Sequence, residues 1–156
     1  MATTVTPGTM KVVIREELTL NGSDYTKEQS LSISGVTRIS RRIMQVANGT
    51  WSQVIDWHGS GDDPETGLIY DANDVEYVRI TNLDDTANIL LNIEFESGKY
   101  IHHQVKPKCS FLAFKNTYDY STTAGGADFA SPGPDANFHL SSSSGTIHAE
   151  ICVASS

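Results

Sequence analysis

Apolar residues recur at every second position through most of this chain, and that alternation restricts the fold more than any other feature. Residues 87–96 read Ala-Asn-Ile-Leu-Leu-Asn-Ile-Glu-Phe-Glu, so Ile89, Leu91, Ile93 and Phe95 fall on one side and Asn92, Glu94 and Glu96 on the other. Side chains alternate across a strand, and this pattern is a strand with one buried face. Ser97-Gly98 turns the chain, and residues 99–105 run back as a hairpin. Near the C-terminus Ile147, Ala149, Ile151 and Val153 alternate with Thr146, His148 and Glu150. The opening strand, residues 10–20, places Met10, Val12, Ile14, Leu18 and Leu20 on one face. Glu16 interrupts that face, which predicts a sheet edge or a subunit contact. Further strands are predicted over 29–36, 38–46, 51–57, 75–82, 108–115 and 136–140. No window of about eleven residues or more carries a 3.6-residue period, so no substantial helix is expected.

Breaks between these runs follow turn chemistry. Asn21-Gly22 and Asn48-Gly49 are turn dipeptides, because Asn and Gly tolerate positive φ. Both also match a glycosylation acceptor pattern, but residues 1–9 show neither a basic start nor an apolar run, so they are read as turns. Two long loops are expected: an acidic one over 58–74 and one rich in Thr, Gly and Pro over 121–135. Nine or ten short strands in 156 residues fit two packed sheets better than a closed barrel. The predicted fold is an all-β, jelly-roll-like antiparallel β-sandwich over residues 10–156, preceded by a flexible N-terminal arm over 1–9. Its expected core comprises Val12, Ile14, Ile33, Ile43, Ile55, Val78, Ile80, Ile89, Leu91, Ile93, Phe111, Phe138, Ile147 and Ile151.

Charge narrows the partners. Residues 56–85 hold nine acids against Arg79 alone, a net −8, which equals the net charge of the whole chain. An acidic chain lacks the clustered Lys and Arg that phosphates require, so no nucleic-acid partner is expected. The one basic knot is Arg38, Arg41 and Arg42. No apolar run approaches the roughly 18 residues of a membrane span, so no membrane partner is expected either. Cys109 and Cys152 lie in strand-like runs without metal spacing, and read as two reduced core thiols.

Catalytic signatures are missing. There is no GxSxG, HExxH, Walker or GxGxxG pattern. His102 and His103 are adjacent on a strand and point to opposite faces, so one ion cannot easily take both. Asp56 and His58 share a face, but no nucleophile or oxyanion site accompanies them. No enzyme activity and no cofactor are expected. Asp62, Asp63, Glu65 and Asp71 supply oxygen donors of the kind Ca²⁺ takes, without EF-hand spacing; a solvated acidic loop explains them as well. Trp51 and Trp57 are six apart and share a face, which suits a core or subunit contact. With Tyr118 and Tyr120 they would also suit a sugar-stacking platform.

Three stretches carry a resemblance: Glu-Glu-Leu-Thr-Leu-Asn-Gly (16–22), Arg-Ile-Ser-Arg-Arg-Ile (38–43) and Tyr-Val-Arg-Ile-Thr-Asn-Leu-Asp-Asp (77–85). With the Thr-rich opening they resemble small virion structural proteins of tailed bacteriophages, particularly marine ones. The resemblance implies a non-enzymatic virion component assembled in a host cytoplasm, first of all a head decoration protein bound to the major capsid or another virion protein. A tail fibre or appendage subunit, or a carbohydrate-binding module, are the alternatives. The sequence further suggests a homotrimer. The expected assembly arm is Thr3, Thr4, Val5, Thr6 and Pro7, and the expected interface residues are Glu16, Arg38, Arg41, Arg42, Trp51 and Trp57.

Overall fold

The computed structural model describes residues 5–58, 69–71, 74–96, 99–114 and 137–156. These form thirteen strands: β1 (Gly8–Glu16), β2 (Thr19–Leu20), β3 (Ser23–Asp24), β4 (Lys27–Val36), β5 (Arg38–Ala47), β6 (Ser52–His58), β7 (Ile69–Asp71), β8 (Val75–Asn82), β9 (Ile89–Glu96), β10 (Lys99–Val105), β11 (Ser110–Phe114), β12 (Asn137–Ser142) and β13 (Thr146–Ser155). The all-β expectation holds, and no helix occurs among the described residues.

Two sheets carry the sandwich, one in the order β11-β8-β13-β5 and the other β10-β9-β12-β6-β7. Set aside the short β7, and eight strands run from β5 to β13 in chain order. The first, eighth, third and sixth make one sheet; the second, seventh, fourth and fifth make the other. That nesting of two Greek keys is jelly-roll connectivity. All neighbours are antiparallel except β6 and β7, which run parallel. The facing sides bury Ile55, Ile80, Ile89, Leu91, Ile93, Leu140, Ile147 and Ile151 to below 2 % exposure. Side chains this well buried each contribute roughly 1.5–3 kcal/mol relative to exposure.

Jelly-roll topology gathers the β5–β6, β8–β9, β10–β11 and β12–β13 connections at one end, and here they are tied together by hydrogen bonds. Asn48 donates from its backbone to the Gly145 carbonyl (2.9 Å) and from its side chain to the Ser142 carbonyl (2.8 Å). The Asn88 backbone exchanges hydrogen bonds with Ser143. Asn82 is fully buried; its amide donates to the carbonyls of Ala87 (2.8 Å) and Val105 (3.1 Å) and its Oδ1 accepts from the Asp84 N–H (3.0 Å). Lys108, in the left-handed conformation, reaches the Leu83 carbonyl at 2.7 Å and Asp85 at 3.0 Å.

Residues 8–36 add a third layer. β1 and β4 pair antiparallel from Gly8↔Val36 to Glu16↔Lys27, a nine-residue hairpin about 30 Å long at ~3.4 Å per residue. Its root lies on the outer side of the β11-β8-β13-β5 sheet. There Ile33 and Val36, with Met10 and Val12, pack against Tyr77, Cys152, Ala154, Leu112 and Phe114. Gly35 makes this docking possible. The ladder jumps from Thr9↔Ser34 to Gly8↔Val36, leaving Gly35 as an extra residue at φ 81°. A bulge glycine in that left-handed region re-aims the strand, and both Ile33 and Val36 turn inward at 8 % exposure.

Four expectations need correction here. Ile43 is 64 % exposed, because the β5–β13 register sets Val46, Met44 and Arg42 opposite Ile147, Ala149 and Ile151, and period two then points Ile39, Arg41 and Ile43 outward. Ile14 is 44 % exposed, since it lies on the hairpin beyond the part that the sheet covers. Cys109 is exposed in the turn before β11; only Cys152 is a buried thiol. The expected arm is also shorter at its inner end, as Gly8 and Thr9 already pair within β1.

Candidate interaction surface

The hairpin is amphipathic across its width. One face reads Met10, Val12 and Ile14 on β1 against Ile33, Leu31 and Gln29 on β4, and the other reads Thr9, Lys11 and Val13 against Ser34, Ser32 and Ser30. The sheet below covers the apolar face only at its root. Towards the tip Ile14 (44 %) and Leu31 (45 %) are exposed, followed by Leu18 (54 %), Leu20 (53 %) and Tyr25 (59 %). The tip itself is ordered by local chemistry. Asn21 and Gly22 take φ values of 50° and 77°, as a tight two-residue turn between β2 and β3 requires. Asp24 accepts from the Thr26 N–H (2.8 Å) and hydroxyl (2.6 Å), and these bonds hold its carboxyl below the usual carboxylate range. A hairpin without a covered face is marginal in water, and surface apolar patches of this kind mark contact sites.

The second half of the surface is the outer side of β5, the last strand of its sheet. Ile39 (57 %) and Ile43 (64 %) flank Arg41, whose side chain is 65 % exposed and pairs with Glu150 at 3.2 Å. Glu150 also receives Arg79 at 2.8 Å. The other two arginines of the basic run do something else. Arg38 lies over the Tyr70 ring at 5.6 Å, and Arg42 donates to the Val54 carbonyl; both close the seam between the sheets. Of the expected interface residues, the structure therefore places Glu16 on the hairpin opposite Lys27, Arg41 outward, and Arg38 and Arg42 in the seam. Trp51 is 48 % exposed before β6, at the tied end. The Trp57 backbone pairs with Tyr70, and its side chain is outside the described residues.

In the expected arm, Val5, Thr6 and Pro7 are exposed and outside any strand, whereas Thr3 and Thr4 lie outside the described residues. So do Asp62, Asp63 and Glu65, with Tyr118 and Tyr120; Asp71 ends β7, and its side chain is likewise not described. Among the described residues, no group of three or more His, Cys, Asp or Glu is placed to hold a metal ion. No helix of the described residues is long and apolar enough to cross a membrane.

The outer face of the five-stranded sheet is polar. His139 stands opposite Asn92 and Gln53, Asn137 opposite Glu94 and Asp56, and Tyr100 opposite Glu94. The Tyr100 hydroxyl donates to Glu94, which pushes its ionisation up, and its ring stacks on His102 at 6.2 Å. His103 points the other way, its ring 5.4 Å from that of Phe111, as alternation requires. Burial lowers the His139 pKa from the ordinary imidazole value, with the Glu94 carboxylate acting the other way.

The chain matches no protein-family model, no curated protein and no solved structure. What the surface can do is therefore read from its own chemistry. It offers a long apolar arm, an apolar–basic edge strand and no assembled set of reactive groups among the described residues.

Proposed function

We propose that this protein is a non-enzymatic structural component of a tailed-bacteriophage virion, and that it decorates the outer surface of the head. The observation that carries the reading is the β1–β4 hairpin, whose apolar face its own domain covers only at the root. A chain that keeps Ile14, Leu18, Leu20, Tyr25 and Leu31 exposed on one projecting element is built to bury them against another protein. The resemblance of segments 16–22, 38–43 and 77–85 to phage virion proteins supplies the setting. The net charge of −8 suits an outer position, away from packaged DNA. In this reading the sandwich is the rigid body, and the hairpin carries the contact.

Co-sedimentation of the purified protein with separated heads and tails of a phage that encodes it tests the proposal. Saturable binding to heads is the expected result. Binding to tails alone would move the protein to the fibre or appendage alternative. Binding to neither, with a positive glycan-array signal abolished by changing Trp51 or Tyr100, would replace assembly by carbohydrate recognition.

A further inference from the structure

We infer that the outer edge of β1, on the uncovered hairpin, pairs with the outer edge of β5 in a second copy of this chain. The inference rests on the assembly reading above and names its contact. Two exposed triplets, each spaced by two residues, carry it. The hairpin presents Ile14 and Glu16 at the end of β1, with Leu18 just beyond it; β5 presents Ile39, Arg41 and Ile43. Both read apolar–charged–apolar, and the central charges are opposite.

The apolar members of both triplets are uncovered, and Arg41 shares the single Glu150 carboxylate with Arg79, which leaves that cluster one positive charge in excess. Ile14, Leu18, Ile39 and Ile43 are between 44 % and 64 % exposed. Among the described residues, β5 has a strand neighbour, β13, on one side only, and β1 pairs with β4 alone. Both therefore offer a free row of backbone N–H and C=O groups, the template on which a strand of another chain adds. Aligning the triplets in either strand direction brings Glu16 against Arg41 and sets an aliphatic pair on each side. Directly opposed unlike charges and aliphatic pairs are favourable cross-strand neighbours.

Charge makes the choice of this edge specific. Residues 15–28 hold Glu16, Glu17, Asp24 and Glu28 against Arg15 and Lys27, a net −2, while the outward side of β5 presents Arg41, which with Arg79 outnumbers the one Glu150 carboxylate beside it. Two copies of a chain with net charge −8 repel one another unless such local complementarity offsets it. The contact is heterologous, because the hairpin of one copy meets the edge of the next. Such a contact closes into a ring when the rotation permits, which accommodates a trimer.

Sedimentation velocity and chain mixing test it on the full chain. Wild type at about 200 µM, a concentration that populates contacts with micromolar dissociation constants, is expected to self-associate. Glu16→Arg and Arg41→Glu each should raise the dissociation constant about tenfold. The Glu16→Arg/Arg41→Glu double variant should recover to within about threefold of wild type. Thermal melts of each variant show whether it is folded. As an independent readout, a Glu16→Cys chain is mixed with an Arg41→Cys chain, both in a Cys109→Ser background. A disulfide-linked dimer should form in the mixture and in neither chain alone. Monomeric wild type at that concentration, or a double variant no better than the singles, overturns the inference. Head binding by a strictly monomeric protein would do so while leaving the virion reading in place.

Discussion

Asn82 is the side chain on which the tied end of the sandwich depends, and replacing it gives a measurable loss. The residue is fully buried and makes three hydrogen bonds, two donated to the Ala87 and Val105 carbonyls and one accepted from the Asp84 N–H. Asn82→Ala removes all three and leaves those backbone groups in a space too confined for full hydration. At a net of about 1 kcal/mol per bond, the loss is about 3 kcal/mol. In a chain of 156 residues each kcal/mol shifts the melting temperature by about 2–4 °C, so the shift is about 6–12 °C. Differential scanning calorimetry, with Asn88→Ala as a half-exposed control in the adjoining loop, measures it. Asn82→Asp sharpens the test. Ionised, it cannot donate and faces two carbonyls; protonated, it donates again to one of them. Burial and those carbonyls raise its pKa, so its deficit against wild type should shrink as the pH falls towards 5, about one unit above the ordinary carboxylate value. A shift below about 3 °C for the alanine variant, the scale of a surface change, would refute the assignment of Asn82 as the tie.

Cys152 lies beneath the hairpin root while Cys109 is exposed; a thiol reagent should titrate one group fast and one slowly, and Ile33→Asp should accelerate the slow one at least tenfold by lifting the hairpin. Gly35→Ala should cost about 1 kcal/mol, the strain of a left-handed alanine, since no atom lies within 4 Å of the added Cβ; equilibrium urea unfolding measures it, and no loss would remove the bulge argument. Asp84 accepts hydrogen bonds from the N–H groups of Ala87 and Thr86 and from the Thr86 hydroxyl, which hold its pKa below the ordinary value. Its contribution is complete above the unfolded pKa and is lost as pH falls through the lower folded one; Asp84→Asn should therefore flatten the stability loss in strong acid, seen by melting temperature against pH.

Alternation made the strands legible, because a buried sheet face imposes period two on any sequence that forms it. Residues 75–82 and 99–105 were readable to the residue. Pieces of two or three residues, β2, β3 and β7, are too short to show a period. Periodicity also cannot say which face is the inner one when both carry aliphatics. On β5 the pair Ile39 and Ile43 competes with Met44 and Val46, and only the register with β13 decides between them. The hairpin had a signal that pattern reading passed over. Asn21-Gly22 lies near the midpoint of 8–36, with Ser30, Ser32 and Ser34 across from Val13, Lys11 and Thr9. Those serines mark a solvent face on both strands at once, as pairing requires. That the opposite face remains uncovered beyond Val12 is a tertiary fact, set by how far the sheet below extends.

Single-particle electron microscopy of the proposed virion tests the assembly reading most directly. Density for the sandwich should appear on the outer head surface, its β1–β4 hairpin crossing to the β5 edge of an adjacent copy. Finding the protein absent from the particle, or present with the β1 and β5 edges open to solvent in every copy, would contradict the account.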